Sequence, residues 1–132
     1  MTSEQLVQAA LDARLNAVAP YSNFKVGAAL LTPEGKIYTG CNVENATYGL
    51  SMCAERVALF KALSEGERGF RRIVVASDSA RPATPCGACR QLLWEFAGEI
   101  EVILVNPQGQ RETFQLAALL PQAFDGRFFA KK

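Results

Sequence analysis

Residues 72–77 have the sequence Arg72-Ile73-Val74-Val75-Ala76-Ser77, a short and nearly continuous apolar run. Such runs are typical of a central strand that is buried on both faces of a sheet. Helices are predicted on either side of it, at residues 53–63 and 87–97, and a second apolar run follows at residues 101–105. Helices that alternate with buried strands in one domain predict an α/β fold, with helices layered on a sheet.

The other predicted elements extend this pattern toward both ends. An amphipathic helix is expected at residues 2–18, with Thr2 and Gln5 at the spacing of a capping box. From Phe24 the apolar residues recur at every second position, so residues 24–30 are predicted to form a strand. The remaining predictions are a hairpin partner at residues 36–39, a strand at 110–114 and a short helix at 116–120. We expect one domain, residues 1–132.

Composition excludes some kinds of function. The chain has 132 residues, a net charge of +1 and no dense basic run, so binding to nucleic acid or to an acidic membrane is not expected as its main task. The first residues resemble no export signal, and no stretch of about 18 apolar residues occurs, which predicts a cytoplasmic protein. Hydrophobic residues make up 49% of this short chain, which suggests an oligomer.

Two cysteine motifs suggest a metal centre in a chain without histidine: Cys53-Ala54-Glu55 and Pro85-Cys86-Gly87-Ala88-Cys89. Cys86 and Cys89 would share one face of a first helical turn, and Cys53 would open another helix. Helix N-termini carry roughly half a positive charge, which favours thiolate over thiol. Zinc held by three protein ligands keeps a fourth position open for water, as in catalytic sites. The motifs therefore predict a catalytic zinc site.

Charged neighbours of these motifs have predicted roles as well. Glu55 is the obvious group to move protons in a site that has no histidine. Three thiolates on one zinc ion leave a net negative centre, which would weaken its power to acidify water. Arg56 and Arg90 could both compensate that charge, and Arg56 is favoured because it is adjacent to Glu55.

Each of these features also has a less specific interpretation. A lone Cys-x-x-Cys also occurs as a redox pair, in structural zinc sites and as buried thiols. Cys41 could complete a four-thiolate structural site, although a small buried core thiol is favoured. Phe24 could be ordinary core, and Asn42 and Glu44 could be solvated loop residues. The aromatic residues near the C-terminus could simply cover the edge of their own domain; they are Phe124, Phe128 and Phe129.

Four motifs in order closely resemble the short, homotetrameric cytidine deaminases. They are PYSNFKVGAAL at residues 20–30, GCNVENA at 40–46, CAER at 53–56 and PCGACRQ at 85–91. The resemblance covers nearly the whole chain. It implies a three-layer α/β/α cytidine-deaminase-like fold with a mixed five-stranded sheet. It also implies one zinc ion per subunit and conversion of cytidine and deoxycytidine to uridine and deoxyuridine plus ammonia, in pyrimidine salvage.

The resemblance assigns roles residue by residue. Cys53, Cys86 and Cys89 match the zinc ligands, and Glu55 matches the proton shuttle. The substrate contacts that it implies are the ring-packing Phe24, the ribose-binding Asn42 and Glu44, the Ala54 N–H as donor to the pyrimidine carbonyl, and Phe124 donated by a neighbouring subunit. Val57 stands where a threonine is frequent, and residues 125–132 belong to a variable tail.

Two other functions remain open from the sequence. One is deamination of another cytosine compound such as blasticidin S, although Asn42-Val43-Glu44 favours a nucleoside. The other is a non-catalytic zinc-binding interaction module, in which a residue such as Cys41 would close the fourth coordination position.

Overall fold

The computed structural model describes residues 3–129, apart from the side chains of Tyr48 and Phe128. The longer elements are, in chain order, α1 (Ser3–Arg14), β1 (Val26–Leu31), β2 (Ile37–Cys41), α2 (Ala54–Ser64), β3 (Arg72–Ser77), α3 (Gly87–Ala97), β4 (Glu101–Val105), β5 (Arg111–Gln115) and α4 (Leu116–Leu119). Two short 3₁₀ helices, Tyr48–Leu50 and Gly126–Phe129, lie in segments for which no helix was predicted. No helix in this part of the chain has both the length and the apolar character that a membrane span requires.

The strands form one mixed sheet in the order β2-β1-β3-β4-β5. Strand β1 is antiparallel to β2 and β3, β3 is parallel to β4, and β4 is antiparallel to β5. The parallel pair is connected through α3, as the alternation of helix and strand predicts. The apolar run at Arg72–Ser77 is the middle strand, which confirms its prediction.

Helices cover both faces of the sheet. Residues of α1 pack with alternate residues of β1, β3 and β4 on one face, and α2 and α3 pack against the opposite face. The predicted three-layer α/β/α architecture with a mixed five-stranded sheet is therefore confirmed. Strand β1 is buried on both faces from Gly27 to Leu31, because α1 covers the face that the sequence pattern left exposed. The apolar residues at every second position therefore mark only one of its two buried faces.

The first helix is shorter than its pattern predicts. It ends at Arg14, four residues before Val18, and three tighter turns follow it. The backbone of Val18 instead pairs with the loop after β2: its N–H donates to Asn42 O at 2.9 Å, and its carbonyl accepts from Glu44 N at 2.8 Å. This pairing brings residues 18–24 beside residues 42–44. The predicted capping box involves Thr2, which lies outside the described residues.

Gly40 allows α2 to approach the sheet closely. A Cβ atom at this position would lie 2.6 Å from Ala58 N and 2.7 Å from Ala54 O. Real Cβ contacts are essentially never this short, so only glycine lets the first turns of α2 rest on β2. This close contact with the sheet fixes the position of the start of α2, where Cys53, Ala54 and Glu55 lie.

Candidate active site

Three cysteine sulfurs meet where two helices begin. Cys53 and Cys86 are the N-cap residues of α2 and α3, and Cys89 lies in the first turn of α3. The Sγ atoms of Cys53 and Cys86 are 3.8 Å apart, those of Cys86 and Cys89 are 3.4 Å apart, and all three lie within 4.8 Å of one another. The two motifs thus form one cluster, as their positions at helix starts predict.

The spacing of this cluster fits zinc. Tetrahedral zinc with Zn–S bonds of about 2.3 Å would hold its sulfurs about 3.8 Å apart, close to the separations of 3.8 and 3.4 Å given above. Within the described part of the chain, the metal-binding group has three members and does not include Cys41. Cys41 is half-buried at the end of β2, not fully buried as expected. A three-ligand set leaves a position for water, whereas a structural site would need a fourth ligand.

Arg56 is the arginine that contacts the cluster. Its Nη2 donates to Cys53 Sγ at 3.4 Å, and the nearby thiolate raises the pKa of the guanidinium. Arg90 instead donates to three oxygens, Pro85 O, Leu119 O and Thr84 Oγ1. The choice of Arg56 over Arg90 as the cation beside the sulfurs therefore agrees with the geometry.

The pKa values of Cys53 and Cys89 shift in opposite directions. The pKa of the Cys53 thiol is lowered, mainly because Cys89 donates a hydrogen bond to it, with a further contribution from Arg56, while burial acts in the opposite direction. The pKa of Cys89 is raised, chiefly because its thiol is the donor to Cys53 and also because it is buried. A metal ion that binds here displaces the remaining thiol protons, since thiolate is the ligand form of cysteine.

Glu55 lies beside the sulfurs in a protected position. Its residue is only 5% exposed, and burial raises the pKa of its carboxyl to about 7, with the charge of Cys53 acting in the same direction. A carboxyl with such a pKa can both accept and release a proton near neutral pH, as general acid–base catalysis requires.

A cavity of about 370 Å³ contains most of the predicted site. Its walls include Phe24, Asn42, Glu44, Cys53, Ala54, Glu55, Arg56 and Cys86. Cys89 is fully buried and does not line the cavity, although its sulfur belongs to the cluster. Phe24 lies before β1, not within the strand, and is 38% exposed, so it forms a cavity wall and not the core that its strand pattern suggested.

Asn42 and Glu44 are ordered by the backbone at residues 21–26. The Asn42 side chain accepts from Val26 N at 2.9 Å and donates to Phe24 O at 2.8 Å. Glu44 accepts from the backbone N–H groups of Tyr21 and Ser22 and from the Ser22 hydroxyl, which lower the pKa of its carboxyl. Neither is a solvated loop residue, and both present fixed polar groups to the cavity.

The structure adds Ser77, which the sequence reasoning missed. Ser77 ends β3, lines the cavity, and has a buried hydroxyl without a hydrogen-bond partner among the described residues. A buried polar group without a partner is costly, so such groups commonly meet a ligand or ordered water. In the sequence, the feature that could have indicated Ser77 is a single polar residue at the end of an apolar strand.

Phe124 does not join the other predicted site residues. It lies in the C-terminal segment, is 53% exposed, and is not among the residues that line the cavity. Its ring contacts Phe129 edge to face, with centroids 5.4 Å apart. Within one chain, Phe124 is therefore separate from the site.

Comparison with known proteins gives consistent matches. The sequence family described as "Cytidine and deoxycytidylate deaminase zinc-binding region" matches residues 1–105. A cytidine deaminase of Sporosarcina psychrophila is 49% identical over 94% of this chain and 92% of its own length. A probable cytidine deaminase of Dictyostelium discoideum is 53% identical over 92% of this chain and 82% of its own.

A solved structure agrees with these sequence matches. The crystal structure of cytidine deaminase from Burkholderia pseudomallei superposes with a TM-score of 0.91 at 53% identity. The match covers 94% of this chain and all of that one.

Proposed function

The chain belongs to the cytidine and deoxycytidylate deaminase family, and we propose that it catalyses the hydrolytic deamination of cytidine and deoxycytidine to uridine and deoxyuridine with release of ammonia. It is an enzyme with one zinc ion per subunit. The observation that carries the proposal is the three-sulfur cluster beside a buried glutamate in a cavity of nucleoside size.

Cys53, Cys86 and Cys89 hold the zinc ion in this proposal. When bound, zinc is a Lewis acid that makes water acidic enough to be a nucleophile near neutral pH. Glu55 takes a proton from the attacking water and delivers it to ring N3. It then takes the proton of the hydroxyl now bound to C4 and delivers it to the amine, which leaves as ammonia while the C4 carbonyl forms. The balance is cytidine plus water to uridine plus ammonia. Arg56 offsets the negative charge of the thiolates through its contact with Cys53.

The remaining cavity residues bind and orient the nucleoside. Ala54 is the first residue of α2, so its N–H lacks an intrahelical acceptor and can donate to the pyrimidine carbonyl. Phe24 packs against the ring. Asn42 and Glu44 bind the ribose hydroxyls with the hydrogen-bonding capacity that their backbone contacts leave unused.

The direct test is ammonia release by the purified protein, with bound metal measured in the same sample. We expect turnover of cytidine and deoxycytidine, about one zinc per chain, and little or no turnover of blasticidin S. The Glu55→Gln variant is the matched control, because it keeps the cysteine cluster. Release of ammonia from neither nucleoside by the zinc-loaded protein would contradict the proposal.

We further propose a homotetramer in which Phe124 of one subunit closes the cavity of another. The support is the exposure of Phe124 and Phe129, the absence of Phe124 from the walls of its own cavity, and the high hydrophobic content of a short chain. Sedimentation of the zinc-loaded protein tests the assembly. A fully active monomer would contradict it.

The biological setting is proposed on the same basis. A single catalytic domain, residues 1–132, acts on small nucleosides in the cytoplasm as part of pyrimidine salvage, and neither nucleic acid nor membrane is a partner. The test is growth of a pyrimidine-requiring strain on cytidine, with and without this gene.

A further inference from the structure

The C-terminal segment, residues 121–129, is attached to α3 by side chains that emerge from one face of that helix. Gln91 Nε2 donates to Phe124 O at 2.5 Å, and Trp94 Nε1 donates to Asp125 Oδ2 at 2.9 Å. Residues three apart in a helix lie on the same face. Two consecutive residues of the segment are therefore each held by α3, and one of them is Phe124.

Asp125 is also held from its other side. Arg127 donates to its carboxylate from Nε at 2.9 and 3.0 Å, from Nη2 at 2.8 Å and from the backbone N–H at 2.9 Å. These bonds and that of Trp94 hold the pKa of Asp125 well below its usual range. The Asp125 side chain is only 14% exposed. Trp94 thus donates to an ionised acceptor that is already ordered, which makes the hydrogen bond charge-assisted.

Apolar packing beneath the segment is incomplete. A cavity of about 290 Å³ lies there, lined by Trp94, Ala117, Leu120, Gln122, Ala123 and Arg127. Gln122 has a φ of 57°, a left-handed conformation that is uncommon outside glycine and persists where the surrounding structure requires it. The hydrogen bonds from α3 to Phe124 and Asp125 therefore help to hold this segment in place.

We propose that Trp94 and Asp125 are positioning residues for Phe124, which they hold ready to enter the substrate cavity of a second copy of this chain. This inference rests on the proposed function, in which Phe124 closes a neighbouring cavity. Neither residue touches substrate in this arrangement. A contact group that is ordered in advance costs less conformational entropy when the ligand binds. Loss of the hydrogen bond between Trp94 and Asp125, which is the anchor of Phe124, therefore weakens nucleoside binding and leaves the chemical step intact.

The first test is a mutant cycle measured on the zinc-loaded oligomer. Trp94→Phe keeps an aromatic side chain and removes the N–H donor. We expect it to raise the KM for cytidine by about three- to tenfold, with kcat changed by less than about twofold. Because Trp94 acts through Phe124, Trp94→Phe should have no further effect in a Phe124→Ala background. An equal effect in both backgrounds would overturn the proposal.

Asp125 provides a second route if Trp94→Phe folds poorly. Asp125→Ala removes the acceptor and should reproduce the rise in KM, whereas Asp125→Asn keeps an acceptor oxygen and should restore most of the binding. Thermal unfolding and zinc content, measured on every variant, separate positioning from general destabilisation. An unchanged KM in Asp125→Ala would overturn the proposal.

Complementation shows whether the anchor acts on another subunit. Trp94→Phe protein is mixed with Glu55→Gln protein under conditions of verified subunit exchange. Hybrids then contain cavities with an intact Glu55 that receive an anchored Phe124 from the partner subunit. Activity at low cytidine concentration should exceed the sum of the two parents. Strictly additive activity would place the effect of Trp94 within its own chain and overturn the inference.

The single variant Phe124→Ala separates the role of Phe124 from the roles of Trp94 and Asp125. If it leaves KM unchanged, Phe124 does not close a neighbouring cavity, and the positioning role of Trp94 fails as well. If it raises KM while Trp94→Phe and Asp125→Ala do not, Phe124 closes a neighbouring cavity and only the positioning role is overturned.

Discussion

The sulfur cluster and the C-terminal segment are held in place by different kinds of structure. The cluster lies at the starts of α2 and α3, and its positions follow from backbone that packs directly on the sheet. The C-terminal segment lies above a cavity and is attached through the side chains of Gln91 and Trp94. The groups assigned to chemistry are thus fixed by secondary structure, whereas the aromatic group assigned to binding depends on a few side-chain hydrogen bonds.

This difference separates the expected kinetic effects. Changes in the cluster should reduce metal content or kcat, because they alter the groups that carry the reaction. Changes in the C-terminal segment should raise KM, because a contact that helps only to hold substrate contributes to ground state and transition state alike.

Cys89→Ser should abolish activity by removing the metal. A serine hydroxyl stays protonated near neutral pH and is a poor zinc ligand, and Cys89 is the buried member of the cluster. We expect well under one zinc per chain by elemental analysis. Cys41→Ser is the matched control, because Cys41 lies outside the cluster, and it should keep its zinc. Full zinc occupancy in Cys89→Ser would remove Cys89 from the ligand set.

Glu55→Gln should lower kcat by about 10²–10⁴-fold and keep one zinc per chain, since only the proton carrier is lost. Gln has nearly the same shape, so the buried position should stay filled. Steady-state kinetics together with metal analysis measure both effects. Turnover near that of the unmodified enzyme would refute the assigned proton transfers.

Arg56→Ala should have a smaller effect, about 10- to 100-fold in zinc affinity or activity, as for other groups that contact metal ligands. Its guanidinium donates to Cys53 Sγ, and its removal leaves the thiolate charge uncompensated. Competition with a chelator measures zinc affinity. Arg90→Ala is the comparison, because its bonds go to oxygens, and it should mainly lower thermal stability. Equal losses of zinc affinity in the two variants would show that the contact between Arg56 and Cys53 does not specifically stabilise bound zinc.

Phe124→Ala should have the smallest effect on turnover. We expect KM for cytidine to rise about tenfold, in line with the loss of one buried aromatic contact, with kcat nearly unchanged. The measurement is a full saturation curve on protein whose oligomeric state is verified by sedimentation. A fall in kcat at constant KM would contradict the separation between chemistry and binding.

Much of the fold was predictable because its signals are local. The apolar run at Arg72–Ser77, the helix formers around it and the turns between strands each act over a few residues. The limits of the first helix were not predictable in this way. Its apolar spacing continues to Ala17, yet the pairing of Val18 with residues 42–44 draws the chain away after Arg14. A tertiary hydrogen-bond pattern prevailed over local periodicity.

Some residues of the candidate site were likewise predictable from local sequence, and others were not. Cys86 and Cys89 share a helical turn, so their sulfurs are close for reasons contained in the sequence, and Cys53 and Glu55 follow from a second helix start. The exposure of Phe124 and the unpaired hydroxyl of Ser77 depend on residues that are distant along the chain. The spacing of residues within one segment therefore cannot predict these two features.

The sequence by itself determined the order of helices and strands, the three-sulfur set and the glutamate beside it, because turn geometry and helix capping are short-range effects. Only the tertiary structure decided that Arg90 donates to Leu119 O and that Phe124 lies away from its own cavity. It also decided that Trp94 holds Asp125, 31 positions away. The physical reason is that these contacts join side chains from separate elements, and their distances depend on how those elements pack on the sheet.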